Sequence, residues 1–185
     1  MKNTQELAGT FTLTVTDNNG KEYNTIIKKG SIEERKKIHL TIGTDDYFPL
    51  AEQFIKNNLV SGDNLFADEE ALYAATTRLM EVVTFNAAKL VDTPEGINAA
   101  FSIEATDTNG NTLLAHFEKP SVQVKKKLFT MLTKGVDNPF TLGEVMVLEC
   151  FLEGDELNND AEVLASAAMI LSSYIESYNI VIKKN

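Results

Sequence analysis

Only a few side chains in this sequence could carry chemistry: two histidines, a single cysteine and one dense run of acidic residues. His39 and His116 stand in different segments, and neither has a cysteine or a second histidine at the spacing that a metal site needs. Cys150 lies in the apolar run VMVLECFLEG, which favours a buried small hydrophobe over a nucleophile. These residues therefore predict no metal site, no cofactor and no catalytic residue.

The acidic segment GDELNNDAE at 154–162 has the composition of a calcium loop but not its spacing. A calcium loop needs oxygen ligands at alternating positions, a central glycine and a closing glutamate about 12 residues after its start. Here Leu157 occupies a ligand position and no glycine follows it. We therefore predict a turn between two helices, in which Gly154 ends one helix, Leu157 packs inward and Asp160 caps the next helix.

Composition and missing motifs narrow the function further. The sequence has no glycine-rich phosphate loop, no nucleophile elbow and no HExxH pattern, so we expect a protein that is not an enzyme. A formal net charge of −10, from 17 basic and 27 acidic residues, opposes nucleic acid or membrane as the main partner. The sequence has no run of about 20 apolar residues, so we expect no transmembrane span. The N-terminus lacks the apolar core of a secretory signal, and a lone cysteine fits a reducing compartment.

The sequence segments that would position these side chains occur twice along the chain. TDNNGK at 16–21 and TDTNGN at 106–111 lie 90 positions apart, and each follows an alternating run that begins with a phenylalanine. Ten identical residue pairs share the offset of 90, and after an insertion of two residues nine more share an offset of 92. Collinear matching over both halves of a chain predicts an internal duplication.

Each half begins with a predicted β-hairpin. The runs FTLTVT and FSIEAT alternate apolar and polar residues, as a half-buried strand does. Asn19 with Gly20, and Asn109 with Gly110, are predicted to supply the left-handed backbone angles that a tight hairpin turn needs. The aspartate and asparagine side chains of these turns would therefore serve the backbone geometry first.

Three helices are predicted to follow each hairpin. A serine caps the first helix, a glycine ends the second, and an aspartate caps the third and longest helix. In the first half the serine forms a capping box with Glu34. The residues in these roles are Ser31, Gly62 and Asp68 in the first half and Ser121, Gly154 and Asp160 in the second.

The predicted fold class is α+β, with two tandem homologous repeats that each consist of a β-hairpin followed by about three helices (ββααα). The first module is predicted at 1–90, a linker at 91–98 and the second module at 99–185. Pro94 and Gly96 mark the break between the modules. The tail NIVIKKN is predicted as a short edge strand.

Two short basic clusters, at 34–37 and 125–127, belong to the predicted first helices. Runs of this kind are most often the solvated face of a helix. A contact with an acidic partner, or with the acidic third helix of the other module, is the alternative.

A lysine-rich step leads from each hairpin into the first helix, and this order of elements resembles the small tailed-phage proteins of the tail assembly chaperone type. Those proteins have a hairpin, a Lys/Arg-x-Pro-Thr/Ser step and two or three short helices. The family usually has one copy where this chain has two, and Gly30 replaces the proline of the step in the first module. The residues that carry the resemblance are Gly20, Lys21, Lys28, Lys29 and Ser31, then Lys119, Pro120 and Ser121.

The resemblance implies a non-enzymatic bacteriophage protein and no catalytic residues. It would be a structural accessory component of the virion, such as a capsid or neck protein, or a tail assembly chaperone. Its partners would be capsid, portal or tail subunits, in the virion or in the host bacterial cytoplasm. The alternative is a cytoplasmic bacterial adaptor or regulator with two peptide- or protein-binding modules. Self-association into a homo-oligomer stays open.

Overall fold

A computed structural model describes residues 9–176 of the chain. Over this range the chain forms six α-helices and two antiparallel β-sheets, so the mixed α and β composition expected from the sequence is confirmed. The chain divides into two compact units, the first ending at Thr84 and the second beginning at Phe85. The tail NIVIKKN, predicted as an edge strand, lies outside the described residues.

The first unit folds as a β-hairpin, two helices, a short strand and a third helix. The elements are β1 (Thr10–Thr16), β2 (Glu22–Lys28), α1 (Ile32–Thr41), α2 (Tyr47–Asn58), β3 (Leu59–Gly62) and α3 (Glu69–Val82), with a 3-10 turn at Leu65–Ala67 before α3. The sheet has the order β1-β2-β3 and is antiparallel throughout. β1 and β2 pair without a bulge, from Thr10 opposite Lys28 to Thr16 opposite Glu22.

The second unit has the same succession of elements after one additional strand. The elements are β4 (Ala88–Val91), β5 (Phe101–Thr106), β6 (Thr112–Phe117), α4 (Val122–Thr133), α5 (Pro139–Glu149), β7 (Phe151–Gly154) and α6 (Ala161–Glu176), with a 3-10 turn at Leu157–Asn159 before α6. The sheet has the order β4-β5-β6-β7, and every pair is antiparallel.

Period-two alternation puts the core of the first unit on one face of its sheet. Leu13 and Val15 of β1 are buried, whereas the threonines between and beside them are exposed or half-buried. Ile55 of α2 and Leu79 of α3 are fully buried in the same cluster. Each such side chain contributes about 1.5–3 kcal/mol through burial, so this face holds the helices against the sheet.

The core of the second unit is built in the same way but packs its last two helices closer. Ile103 of β5, Met146 of α5 and Leu171 of α6 are fully buried in one cluster. A Cβ atom on Gly143 would lie 1.9 Å from the carbonyl oxygen of Ala168, so only glycine allows α5 to approach α6 this closely.

The strands β3 and β7 were not predicted, and they correct the role assigned to two glycines. Helix α2 ends at Asn58 and α5 at Glu149, so Gly62 and Gly154 end short strands and do not end helices. Both glycines are left-handed, with φ of 112° and 105°. A Cβ on either would lie 2.3 Å from a carbonyl oxygen of the neighbouring strand. The glycines are therefore required by the close approach of two strands and by the left-handed backbone.

The strand β4 lies in a part of the chain that the sequence assigned to the end of the first module and the linker. It pairs with β5 from Ala88 opposite Ala105 to Val91 opposite Ser102. The compact second unit accordingly begins at Phe85, earlier than the predicted boundary. Four residues are too few for alternation to distinguish a strand from a linker.

Candidate interaction surfaces

The hairpin turn of the first unit is wider than the tight turn predicted. Asp17 N–H donates to Lys21 O over 3.0 Å, and Gly20 N–H donates to Asp17 O over 3.0 Å, which leaves a three-residue loop. Within residues 9–176 only glycines have a positive φ, so Gly20 is left-handed at 83° and Asn19 is not. The prediction for Asn19 is therefore wrong, because a loop of this length needs a left-handed backbone only at its last residue.

The turn of the second unit has the same geometry and corrects the prediction for Asn109 in the same way. Gly110 is left-handed at 85°, and Asp107 Oδ1 accepts from the N–H groups of Asn109 at 2.9 Å and Asn111 at 2.7 Å. The Asn111 side chain, together with these N–H groups, lowers the pKa of Asp107 below its usual range. Asp17 makes the corresponding contacts at 2.9 and 2.8 Å. Both aspartates are occupied by the backbone.

Each turn is tied to the start of the third helix of its own unit. In the first unit the backbone N–H and the side-chain amide of Asn18 donate to the two carboxylate oxygens of Glu70, at 3.1 and 2.6 Å. In the second unit the N–H and the hydroxyl of Thr108 both donate to Asp160 Oδ2, at 2.8 and 2.7 Å. These contacts fix the tip of a hairpin that would otherwise extend into solvent.

The third helices are capped by the aspartates that the sequence singled out. Asp68 Oδ1 accepts from Glu70 N at 3.0 Å and Ala71 N at 2.9 Å, and its Oδ2 accepts from the Tyr23 hydroxyl at 2.9 Å. The backbone N–H of Ala71, with the Tyr23 hydroxyl, lowers the pKa of Asp68. Lys21 Nζ lies 3.2 Å from the Tyr23 hydroxyl and 4.2 Å from the ring centroid.

Asp160 makes the corresponding cap with a different second partner. Its Oδ1 accepts from Glu162 N at 2.8 Å and Val163 N at 3.1 Å. Burial alone would raise the pKa of Asp160, but the hydrogen bonds from Thr108 and from these N–H groups lower it overall. Leu113 stands where the first unit has Tyr23, so Thr108 takes the second carboxylate oxygen instead.

The repeated Gly-Asp pairs hold the short strands to the hairpin, a role that the sequence did not predict. Asn24 N–H donates to Asp63 Oδ2 over 2.7 Å, and Leu114 N–H donates to Asp155 Oδ2 over 2.8 Å. In return the N–H groups of both aspartates donate to the carbonyl oxygens of the same residues, at 3.0 and 2.9 Å. The available signal was the identity of Gly-Asp in both halves, which a simple helix end does not require.

The serines at the starts of α1 and α4 act as N-caps. Ser31 Oγ accepts from Glu34 N at 3.2 Å, and the Glu34 carboxylate accepts from Ser31 N at 2.8 Å, completing a capping box. Ser121 Oγ accepts from Val124 N at 3.3 Å without a reciprocal side chain. The Glu34 carboxylate therefore lies at the N-terminus of α1.

The two basic clusters differ from one another in exposure. In the cluster 34–37, Arg35 is fully buried and its Nη1 lies 3.5 Å from Thr84 O, so this cluster is not a uniform solvated face. The cluster 125–127 is exposed along α4. Its Lys127 forms an ion pair of 2.7 Å with Glu149.

The structure brings one histidine into a buried polar cluster. His116 Nδ1 lies 2.7 Å from Ser102 Oγ, which lies 3.0 Å from Thr93 Oγ1. Ser102 is fully buried and His116 is 5% exposed, so a substrate has no access to this pair. Residues 102 and 116 lie opposite each other in the β5–β6 hairpin, and a hairpin register read from the sequence could have paired them.

Of the remaining candidates, His39 is half-buried and Cys150 is fully buried. Burial lowers the pKa of His39. Burial raises the pKa of the Cys150 thiol to about 11, and its Sγ lies 3.8 Å from Met146 Sδ. Among the described residues no three His, Cys, Asp or Glu side chains form a group that could hold a metal ion.

What the chain offers to other molecules is exposed apolar surface. On the first unit Phe48 of α2 stacks on Tyr73 of α3, with ring centroids 5.4 Å apart and side chains 40% and 63% exposed. On the second unit the exposed face of α4 carries an apolar stripe, hereafter the α4 stripe, of Val122, Phe129 and Leu132, which are 68%, 64% and 41% exposed. Spacings of seven and three residues put these side chains on one face of the helix.

The two surfaces are not counterparts of each other. Counted from the N-caps of α2 and α5, Phe48 corresponds to Phe140, which is 1% exposed, and Tyr73 of α3 corresponds to Ala165 of α6. The repeated features are therefore the turns, caps and clamps, whereas the exposed aromatic residues differ between the units.

Comparison of the chain with family models, with curated proteins and with solved structures finds no match. None of the helices between residues 9 and 176 combines the length and the apolar character that crossing a bilayer would require.

Proposed function

We propose that the chain is a non-enzymatic assembly protein that consists of two homologous modules and binds protein partners through the exposed apolar faces of its helices. The modules are tandem repeats of the ββααα type predicted from the sequence, with a short strand added between the second and third helices. The same three devices recur at aligned positions: the Asp-closed hairpin turn, the Gly-Asp clamp and the aspartate cap. A duplicated gene segment explains this recurrence most simply.

The observation that carries the proposal is the difference between the two apolar surfaces. Large aromatic side chains exposed beyond 60%, such as Phe129 and Tyr73, are energetically useful mainly when a partner covers them. Because the exposed aromatic residues are not repeated, the modules bind different surfaces. One chain that holds two such sites brings its partners to a high effective concentration, which is the task of an assembly factor.

The partner class that we propose is the structural subunits of a bacteriophage: capsid, portal or tail proteins. This part rests on the resemblance of the hairpin, the Lys-Pro-Ser step at 119–121 and the charged helix to tail assembly chaperone-type proteins. The protein then acts either as an accessory component of the virion or as a chaperone in the host cytoplasm.

Binding to purified phage structural subunits, measured by calorimetry, tests the proposal. The variant Phe129→Gln is expected to weaken binding at least about tenfold, because a centrally placed aromatic anchor is lost. The matched control is Gln123→Ala, which changes an exposed residue of α4 outside the α4 stripe and is expected to bind like the wild type. Absence of binding to every capsid, portal and tail subunit of the source phage would reject the partner class.

Mass spectrometry of purified particles separates the two modes of action. A stoichiometric copy number in the particle identifies a virion component. Absence from the particle together with binding to free subunits identifies a chaperone.

A further inference from the structure

The outer edge of β1 has no neighbouring strand among the residues that the structure describes, because the sheet of the first unit has the order β1-β2-β3. Asp17 N–H donates to Lys21 O, so the odd-numbered residues of β1 bond to β2. Bonding directions alternate along an antiparallel strand. The backbone N–H and C=O groups of Thr12, Thr14 and Thr16 therefore point toward the open edge.

In the second unit a strand already covers the corresponding edge. Thr106 N–H donates to Ala87 O over 2.7 Å, and Glu104 lies opposite Lys89, with an ion pair of 2.7 Å between their side chains. An edge of this type therefore accepts an extended segment in the antiparallel direction. The edge of β1 is the corresponding edge, and no described residue of the first unit pairs with it.

The hydroxyl of Ser166 anchors the start of the covering strand of the second unit. Ser166 Oγ donates to Phe85 O over 2.9 Å and accepts from Ala88 N over 2.9 Å, which holds the start of β4 against α6. At the aligned position of α3 stands Ala74, which has no hydroxyl for this purpose. Helix α3 therefore lacks the hydroxyl that anchors β4 in the second unit.

The edge of β1 also lacks the usual protections against pairing. Natural edge strands are blunted by charged residues, prolines or bulges. The seven residues Thr10–Thr16 contain no charge and no proline, and they pair with β2 without a bulge. Protein surfaces that leave such an edge open commonly pair it with another chain.

The sequence of β1, TFTLTVT, is self-complementary when two copies run antiparallel. With the twofold axis at Leu13, the backbone groups of Thr12 face those of Thr14 of the second copy, so that threonine faces threonine there. Phe11 then lies opposite Val15 of the second copy. Threonine pairs and pairs of an aromatic with a β-branched residue are both favourable across strands.

We propose that two copies of the chain associate along β1 and join their three-stranded sheets into one six-stranded antiparallel sheet. The interface is isologous, since the same edge is used by both copies. Each copy carries a net charge of −10, so added salt strengthens the association by screening the repulsion between them. This interface is independent of the partner surfaces proposed above.

Sedimentation equilibrium of the full chain at increasing concentration tests the proposal, and a dimer that tightens with added salt is the expected result. Thr14→Pro removes an N–H group that points to the open edge, so the bonds between β1 and β2 stay intact. Two intermolecular hydrogen bonds disappear, one for each copy, and the dissociation constant is expected to rise at least about tenfold.

The matched control is Thr14→Val, which keeps the N–H group and the branched side chain. Both variants lose the hydrogen bond of 2.7 Å from the Thr14 hydroxyl to Asn24 Oδ1, so that loss cancels in the comparison. Thermal unfolding followed by circular dichroism shows whether each variant is folded. Equal association of the two folded variants, or a wild-type chain that stays monomeric at about 1 mM, overturns the proposal.

Disulfide trapping tests the register without depending on the proline variant. Thr12→Cys protein mixed with Thr14→Cys protein should form a cross-linked dimer, because paired residues on adjacent strands lie about 5.5 Å apart at Cα. Either protein alone should cross-link much less, since its cysteines would not be opposite each other. Equal cross-linking in all three samples contradicts the twofold axis at Leu13.

Discussion

At the residue scale, the aspartates that cap the third helices each perform two tasks. Asp68 and Asp160 both bind two N–H groups with one oxygen, and each uses the other oxygen to hold the hairpin of its unit. The cap could be predicted from the sequence, because it depends on residues two and three positions away. The second contact could not, because Thr108 lies 52 positions from Asp160 and the pairing exists only in the folded unit.

The double role of Asp160 predicts a stability effect that depends on pH. Asp160→Ala is expected to lower the free energy of unfolding by about 1 kcal/mol at neutral pH, the usual effect of losing an N-cap. The pKa of Asp160 is lowered in the folded protein, so its contribution is present above the unfolded value of about 4 and is lost as the pH falls through the folded value. Urea unfolding between acidic and neutral pH measures both.

The control for that experiment is Asp137→Ala, which removes an exposed carboxylate of the same unit. A small effect on the free energy of unfolding at neutral pH is expected there. If Asp160→Ala destabilised the protein equally at neutral pH and well below the pKa of a carboxyl group, loss of the ionised cap would not be the cause.

At the scale of elements, the sequence predicted the hairpins and the three helices of each unit but not the strands that complete the sheets. Alternation over six or seven residues identified β1 and β5, whereas β3, β4 and β7 have only four residues each. The left-handed backbone predicted for Gly62 and Gly154 is correct, but the element that they end is a strand and not a helix. Helices and strands can both end in a left-handed glycine. Only the neighbouring strand, which is distant in sequence, distinguishes the two cases.

Substitutions at two glycines of the second unit can distinguish the cost of backbone strain from the cost of steric overlap. A Cβ on Gly154 would lie 2.3 Å from Leu114 O, whereas a Cβ on Gly110 would meet nothing within 4 Å, although both residues are left-handed. Gly110→Ala is expected to cost about 1–2 kcal/mol for the left-handed backbone alone. Gly154→Ala should cost clearly more, because β7 must move away from β6. Chemical denaturation measures the free energy of unfolding of both variants. Equal losses in the two variants would contradict the role of steric overlap at Gly154.

At the scale of the whole molecule, the chain contains two units that share a plan and differ at their surfaces. The boundary between them is set by β4, since this strand contributes to the second sheet and is anchored by Ser166 of α6. Composition alone placed the break at Pro94 and Gly96, which lie after that strand. Proline and glycine show from the sequence where the chain turns. Only the pairing of β4 with β5 shows that the residues before this turn belong to the core of the second unit.

The boundary can be tested with two fragments of the chain. The fragment 85–185 keeps β4 and is expected to unfold cooperatively by itself, because it retains the complete sheet and core of the second unit. The fragment 99–185, cut at the predicted linker, exposes the edge of β5 and leaves Ser166 without its partners. It is expected to unfold at lower denaturant concentration and to aggregate more readily. Equal stability of the fragments would place the boundary at the linker.

The difference between Ser166 and Ala74 also limits how many chains can associate through their sheet edges. Within residues 9–176, the edges at β3 and β7 are only four residues long and follow a shift in register, so they are poor templates, and β4 closes the edge of β5. Among the described residues this leaves the edge of β1 as one site for strand pairing, a valence of one along the sheets of each chain. Pairing of two chains consumes that valence, so the association terminates at two copies and cannot propagate into a filament. Loss of the short strand β4 would raise the valence to two, and a discrete complex could then become an open polymer.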